Sequence, residues 1–169
     1  MPWTQSANAA IDKVAPQRQD VIAHLGGYAG SDLLCYRAEG PDSLVARQAK
    51  AWDSLLGWAK NTFGSQLAVT HGVMPIEQDP RHLAALGAAM KPMSHFQLTG
   101  FHDLVTLSGS FVIGLAAAMD HLPATVLWDL SRLDEDWQIE QWGEDEEASE
   151  HAALKKAAFL HAREVYHLS

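Results

Sequence analysis

The chain has 169 residues, 47% of them apolar, one cysteine and a formal net charge of −9. That length can bury roughly 70% of the unfolded surface without a staple. The acidic balance excludes a nucleic-acid binder built on a basic stripe, and a lone Cys35 excludes an internal disulfide or a multi-cysteine zinc site.

The first predicted element is a helix capped by Thr4 or Ser6, with Ala7, Ala10, Ile11 and Val14 on one face. Pro16 interrupts it. A second helix carries Val21, Ile22 and Leu25 and is expected to stop at Gly26-Gly27. Leu33–Tyr36 reads as a short buried strand between Asp32 and Gly40-Pro41. A long helix follows from Pro41-Asp42 to Gly64, with Leu44, Gln48, Trp52, Leu55 and Ala59 marking one stripe. Gln66–Thr70 is a second strand candidate, so strand, helix and strand predict a two-stranded parallel sheet. From Asp79 the pattern is helical throughout. Pro80 opens a helix through Leu83, Leu86 and Met90; Ser94–Leu107 and Ser108–His121 are two helices, or one kinked near Gly109. Pro123 opens a helix ending at Gly143, and Glu144–Ser169 forms the last. The fold class is mainly α (α+β), with residues 1–169 expected to form a single domain.

Met1–Ala15 lacks the basic start and apolar core of a signal peptide. The longest apolar run, Phe111–Met119, falls far short of the ~20 residues that a membrane span needs. A soluble protein without membrane insertion is expected.

The most informative segment lies between Pro123 and Glu150. From Asp129 to Glu150 there are ten acidic residues against one basic one, Arg132, so this stretch accounts for the whole net charge. It also holds Trp128, Trp137 and Trp142. At about 100° per residue, Val126, Leu130, Leu133 and Trp137 share one face. Trp128, Arg132, Glu135, Ile139 and Trp142 share the opposite one, flanked by Asp129, Asp136 and Glu140. Burying a large apolar side chain is worth ~1.5–3 kcal/mol, so a second apolar face implies something that covers it. Two arrangements satisfy the pattern. The face packs against the last helix with Arg132 and Glu135 paired, or it meets another protein with the aromatics as anchors.

Sites for chemistry are sparse. The nine histidines form no His-Glu-x-x-His pattern, and the glycine pairs fit no phosphate or nucleophile motif. His95 and His102, with Asp103 beside them, are the only spacing that suggests a metal, and Asp134, Asp136 and Glu140 diverge too far for a magnesium cluster. The enzyme alternative is therefore a small metal-dependent hydrolase using such His, Asp and Glu residues; no catalytic residue, metal ligand or cofactor is assigned.

The segment Ser131-Arg132-Leu133-Asp134-Glu135-Asp136-Trp137-Gln138-Ile139-Glu140-Gln141-Trp142-Gly143 resembles the signature of the ATP synthase assembly chaperones that hold the α subunit of the F(1) head. The resemblance also covers Met1-Pro2-Trp3-Thr4, Ala10-Ile11-Asp12, Asp32–Ala38, Pro41–Leu44, Gln48 and Trp52–Ala59. It implies a chaperone without enzymatic activity that binds free α and covers a surface prone to aggregation until β arrives. The family's important acidic position maps to Glu135, and Arg132, Gln138 and Trp142 match the same motif. With the phase argument, the expected partner-binding residues are Glu135, Arg132, Trp128, Gln138, Ile139 and Trp142. The family's β-rich N-terminal domain precedes the Met-Pro-x-Thr segment, so the chain corresponds to the C-terminal, mainly helical domain. A monomer is expected, in the bacterial cytoplasm or, for a eukaryote, the mitochondrial matrix. A purely structural subunit of a stable complex is the third class.

Overall fold

The computed structural model describes residues 17–72 and 74–168; the expected first helix, with Ala7, Ala10, Ile11 and Val14, lies outside them. Helix α1 spans Arg18–Gly30. It runs through Gly26-Gly27 rather than ending there, because Leu25 and Ala29 are seated in the core and tertiary packing outweighs a propensity cost of about 1 kcal/mol per glycine. The Arg18 guanidinium donates to the carbonyls of Met90 (3.4 Å), Lys91 (3.1 Å) and Met93 (2.7 Å), tying the start of α1 to a distant turn.

The expected strand at Leu33–Tyr36 is mostly a 3-10 turn, Leu33–Cys35, followed by the two-residue strand β1, Tyr36–Arg37. The cause is local: the Asp32 carboxylate accepts the Leu34 N–H at 2.9 Å and draws the backbone into a turn. Helix α2, Asp42–Phe63, buries Leu44, Gln48, Trp52, Leu55 and Ala59, the stripe read from the sequence. Gly64 ends it at φ 69, in the left-handed region that glycine enters without cost.

Strand β2 is Thr70–His71 and pairs in parallel with β1, Tyr36 opposite Thr70 and Arg37 opposite His71. β2 is shorter than the expected Gln66–Thr70, where a glutamine side chain takes the place of a ladder partner at Ala68, and a second glutamine bonds the main chain just beyond β1. Gln78 both accepts from the Ala68 N–H (2.8 Å) and donates to its carbonyl (2.9 Å), while Gln48 accepts from the Ala38 N–H at 2.9 Å.

The rest is helical: α3 Pro80–Gly87 running into a 3-10 turn at Ala88–Met90, α4 His95–Ser108, α5 Phe111–Ala118, α6 Ala124–Ser131, α7 Leu133–Trp142 and α8 Glu146–His167. Ser94 and Gln97 form a capping box at the start of α4, and Gly109, at φ 74, separates α4 from α5 as two helices. All eight residues of α5 are buried, so it is the central helix of the core. The most extensive pairing is between α4 and α8. Gly100 makes it possible: a Cβ there would stand 2.8 Å from the Ala162 carbonyl oxygen and 2.9 Å from the Tyr166 nitrogen. No helix among the described residues is long and apolar enough to cross a membrane.

Cys35 is fully buried, and burial pushes its thiol up to about 12. Thiolate is the reactive species. An aromatic disulfide reagent should therefore leave the native chain unmodified and label one equivalent after denaturation; rapid labelling of native protein would contradict this burial.

Candidate functional site

The segment expected to be one helix from Pro123 to Gly143 is two, α6 and α7, joined at Arg132 (φ −99, ψ 8). The Ser131 hydroxyl donates to the Trp128 carbonyl at 2.6 Å. The Arg132 N–H is shared between the carbonyls of Trp128 (3.2 Å) and Asp129 (3.1 Å). These bonds tighten the end of α6 and reset the helical phase. On the α6 side the expected phase holds only in part. Val126, expected in the core, is 42% exposed; Trp128, on the second face, is only 4% exposed and packs its ring 5.5 Å from that of Phe159 in α8, the packed arrangement of the two. Leu133 is buried, and Leu130 and Trp137 are half-buried against the core, as the stripe requires.

Within α7 the acids divide by face. Asp134 accepts from the Gln48 amide at 2.6 Å, Glu140 pairs with Arg47 at 2.8 Å, and the Trp52 indole donates to the Leu130 carbonyl at 2.9 Å. These three contacts fasten α7 and the end of α6 to α2. The opposite face then presents Glu135, Gln138, Ile139 and Trp142 at i, i+3, i+4 and i+7. Trp142 is 82% exposed and Ile139 37%.

That face looks into a cleft of about 610 Å³ bounded by α7, by the first turns of α8, and by Trp128, Asp129 and Arg132 at its floor. The volume lies in the range of ordinary ligand-binding clefts. All six residues expected to bind a partner line it: Trp128, Arg132, Glu135, Gln138, Ile139 and Trp142. Trp128 contributes a buried floor rather than an exposed anchor. Arg132 and Glu135 do not form the ion pair that a packed face would have supplied; the nearby guanidinium instead opposes burial at Asp136. Burial raises the Asp136 carboxyl above its ordinary value, Asp129 and Glu140 add to this, and Arg132 and Arg47 partly offset it.

Sequence reasoning missed the other wall. Ala148, Ser149, His151, Ala152, Lys155 and Lys156 of α8 face the cleft. Their one signal is the i, i+4, i+7 spacing of Ala148, Ala152 and Lys155, with no large apolar residue to draw attention to it. The remaining acids at the connection have local tasks. Asp145 caps α8 by accepting the Glu147 N–H at 3.1 Å, and Glu144 accepts the Ser149 hydroxyl.

The histidines give no support to the hydrolase alternative. His102 lies 3.2 Å from Asp103 and stacks on His24, with ring centroids 6.3 Å apart. Among the described residues no group of three or more His, Cys, Asp or Glu side chains could hold a metal ion. What α6, α7 and α8 frame is a largely apolar cleft between charged helices, and the class so defined is a mainly helical domain with an open cleft on one side.

Comparison with known proteins gives the family. Residues 1–60 match the model of the ATP12 chaperone protein. The whole fold is similar to the crystal structure of Atp12 from Paracoccus denitrificans, at 48% identity over 99% of this chain and 72% of that one, with a TM-score of 0.96. An aspartate-to-lysine mutant of that same protein matches equally well, with the same identity, coverage and TM-score. A protein from Agrobacterium tumefaciens proposed as a chaperone is 39% identical over 98% of this chain and 62% of that one, with a TM-score of 0.93. The chain belongs to the ATP12 chaperone family. Its relatives are chaperones, not enzymes, and its role is that of a chaperone and assembly factor.

Proposed function

We propose that this chain holds the free α subunit of the ATP synthase F(1) head and shields it from aggregation until it assembles with β, with the α6–α7–α8 cleft as the docking surface. The observation that carries this reading is the α7 face itself. Glu135, Gln138, Ile139 and Trp142 stand together at the cleft, and none of the four side chains makes a hydrogen bond or ion pair among the described residues. A large exposed indole beside an unpaired carboxylate is costly for a free surface and useful for a transient interface. The sequence resemblance supplies the partner, since the motif containing Glu135 is the one shared with chaperones of the α subunit. In this reading residues 1–169 act as one unit, as a monomer, in the bacterial cytoplasm or the mitochondrial matrix.

Glu135 is exposed and unpaired, so Glu135→Lys should leave the melting curve unchanged. It should weaken capture of purified α by roughly tenfold, because reversal replaces an attraction by a repulsion at the interface. Full capture by a normally folded variant would remove Glu135 from the site.

A further inference from the structure

Resting on the reading of the cleft as the docking site, we propose that its occupant is an amphipathic α-helix of the α subunit with basic residues along one edge and acidic residues along the other. Away from the α7–α8 connection the walls have opposite charge. Glu135 and Asp136 lie on the α7 side, and Lys155 and Lys156 on the α8 side. No ion pair joins these four residues to each other or to another described residue, so their charges remain available to an occupant. At the connection Asp145 caps α8 and Glu144 accepts the Ser149 hydroxyl, both from neutral donors, so their negative charge stays at that end of the cleft; Asp129 and Arg132 at the floor carry opposite signs.

The backbone decides the form of the occupant. Both walls are α-helices, whose main-chain donors and acceptors are satisfied internally except at their ends. An extended segment would need a free strand edge to pair with and finds none in these walls. A helix brings its own hydrogen bonds and can seat an apolar ridge on Trp128, Ile139 and Trp142. Ala148 and Ala152 on the far wall allow it to approach closely. Opposite walls then fix its rotation: its Lys/Arg edge faces α7 and its Asp/Glu edge faces α8.

The test exchanges the walls. The fourfold variant Glu135→Lys, Asp136→Lys, Lys155→Glu and Lys156→Glu has the same net charge as the original chain. It should lose capture of purified α by at least roughly tenfold. If it captures α normally while Glu135→Lys alone does not, only the total charge matters; the wall arrangement is then overturned and the cleft reading stands. If neither variant is impaired, the cleft itself is the wrong surface. A second measurement avoids any effect of the exchange on folding. Photocrosslinkers replacing Gln138 or Ala152 in the otherwise unaltered chain should both label one helical segment of α. Lysines or arginines should flank the adduct from position 138, and acids the adduct from position 152. Adducts on unrelated segments, or the reverse order of charge, would overturn the inference.

Discussion

Trp142→Ala should weaken capture of the α subunit by roughly 30-fold and leave the chain's thermal stability within experimental error. The indole is 82% exposed at the last residue of α7, and the following Gly143, at φ 91, turns the backbone away. It contributes little to the fold, since truncation of exposed side chains rarely changes stability by more than about 0.5 kcal/mol. In an interface the same group behaves differently. Tryptophan is the residue type most enriched at hot spots, where truncation costs about 2 kcal/mol or more, and that energy corresponds to the stated loss of affinity. Titration calorimetry with purified α and a melting curve on the same sample separate the two quantities. Trp128→Ala provides the contrast, because it removes a floor residue packed on Phe159. It should cost about 3–5 kcal/mol of stability, as large core truncations do. If Trp142→Ala binds α normally, the exposed end of α7 is not where the partner anchors.

The two tryptophans also show what the sequence could disclose. Helix α2 was legible because it is long and unbroken and has a single face in the core, so a stripe of five residues read from spacing alone is the stripe that is buried. The shared face of Glu135, Ile139 and Trp142 on α7 was legible for the same reason, since they lie within one continuous helix, whereas Gln138 entered through the motif resemblance alone. For Trp128 spacing left packing on the last helix and contact with a partner both open, and only the fold shows it seated on Phe159, ahead of a turn at Arg132 that a serine hydroxyl and a shared amide tighten. Such hydrogen bonds leave no periodic trace. The strand lengths failed in a related way: the Asp32 carboxylate turns Leu33–Cys35, and Gln78 bonds to the Ala68 main chain ten residues away, where it looks like any other glutamine in the sequence. The α8 wall stayed hidden because alanine and lysine favour helices everywhere, and only the fold reveals which side faces the cleft.

The same local chemistry, placed inside the core, predicts the largest change in stability. Asp32 is fully buried and accepts from the Ser110 hydroxyl (2.7 Å), the Val112 N–H (3.0 Å) and the Leu34 N–H (2.9 Å). One carboxyl therefore caps the turn before β1 and the start of the central helix α5. Asp32→Ala leaves three buried donors without an acceptor, each costing about 1–3 kcal/mol. Part of that loss is offset at neutral pH, where the native chain buries an ionised group. Burial is the dominant influence on this carboxyl and raises it from 3.8 to about 6, against the lowering effect of its hydrogen bonds. The folded state thus binds the proton more tightly than the unfolded state. The contribution of Asp32 to stability is greatest below pH 3.8, falls as the pH rises towards 6, and is level above that. Across this window the fall is on the order of 3 kcal/mol. The stability difference between the native chain and Asp32→Ala, from denaturant unfolding at pH 4, 5, 6 and 7, should therefore be largest at pH 4 and smallest at pH 7, with the variant less stable throughout. A difference that grew with pH would mean that the hydrogen bonds, rather than burial, govern the charge of Asp32, and that the ionised carboxylate is what holds α5 to the turn.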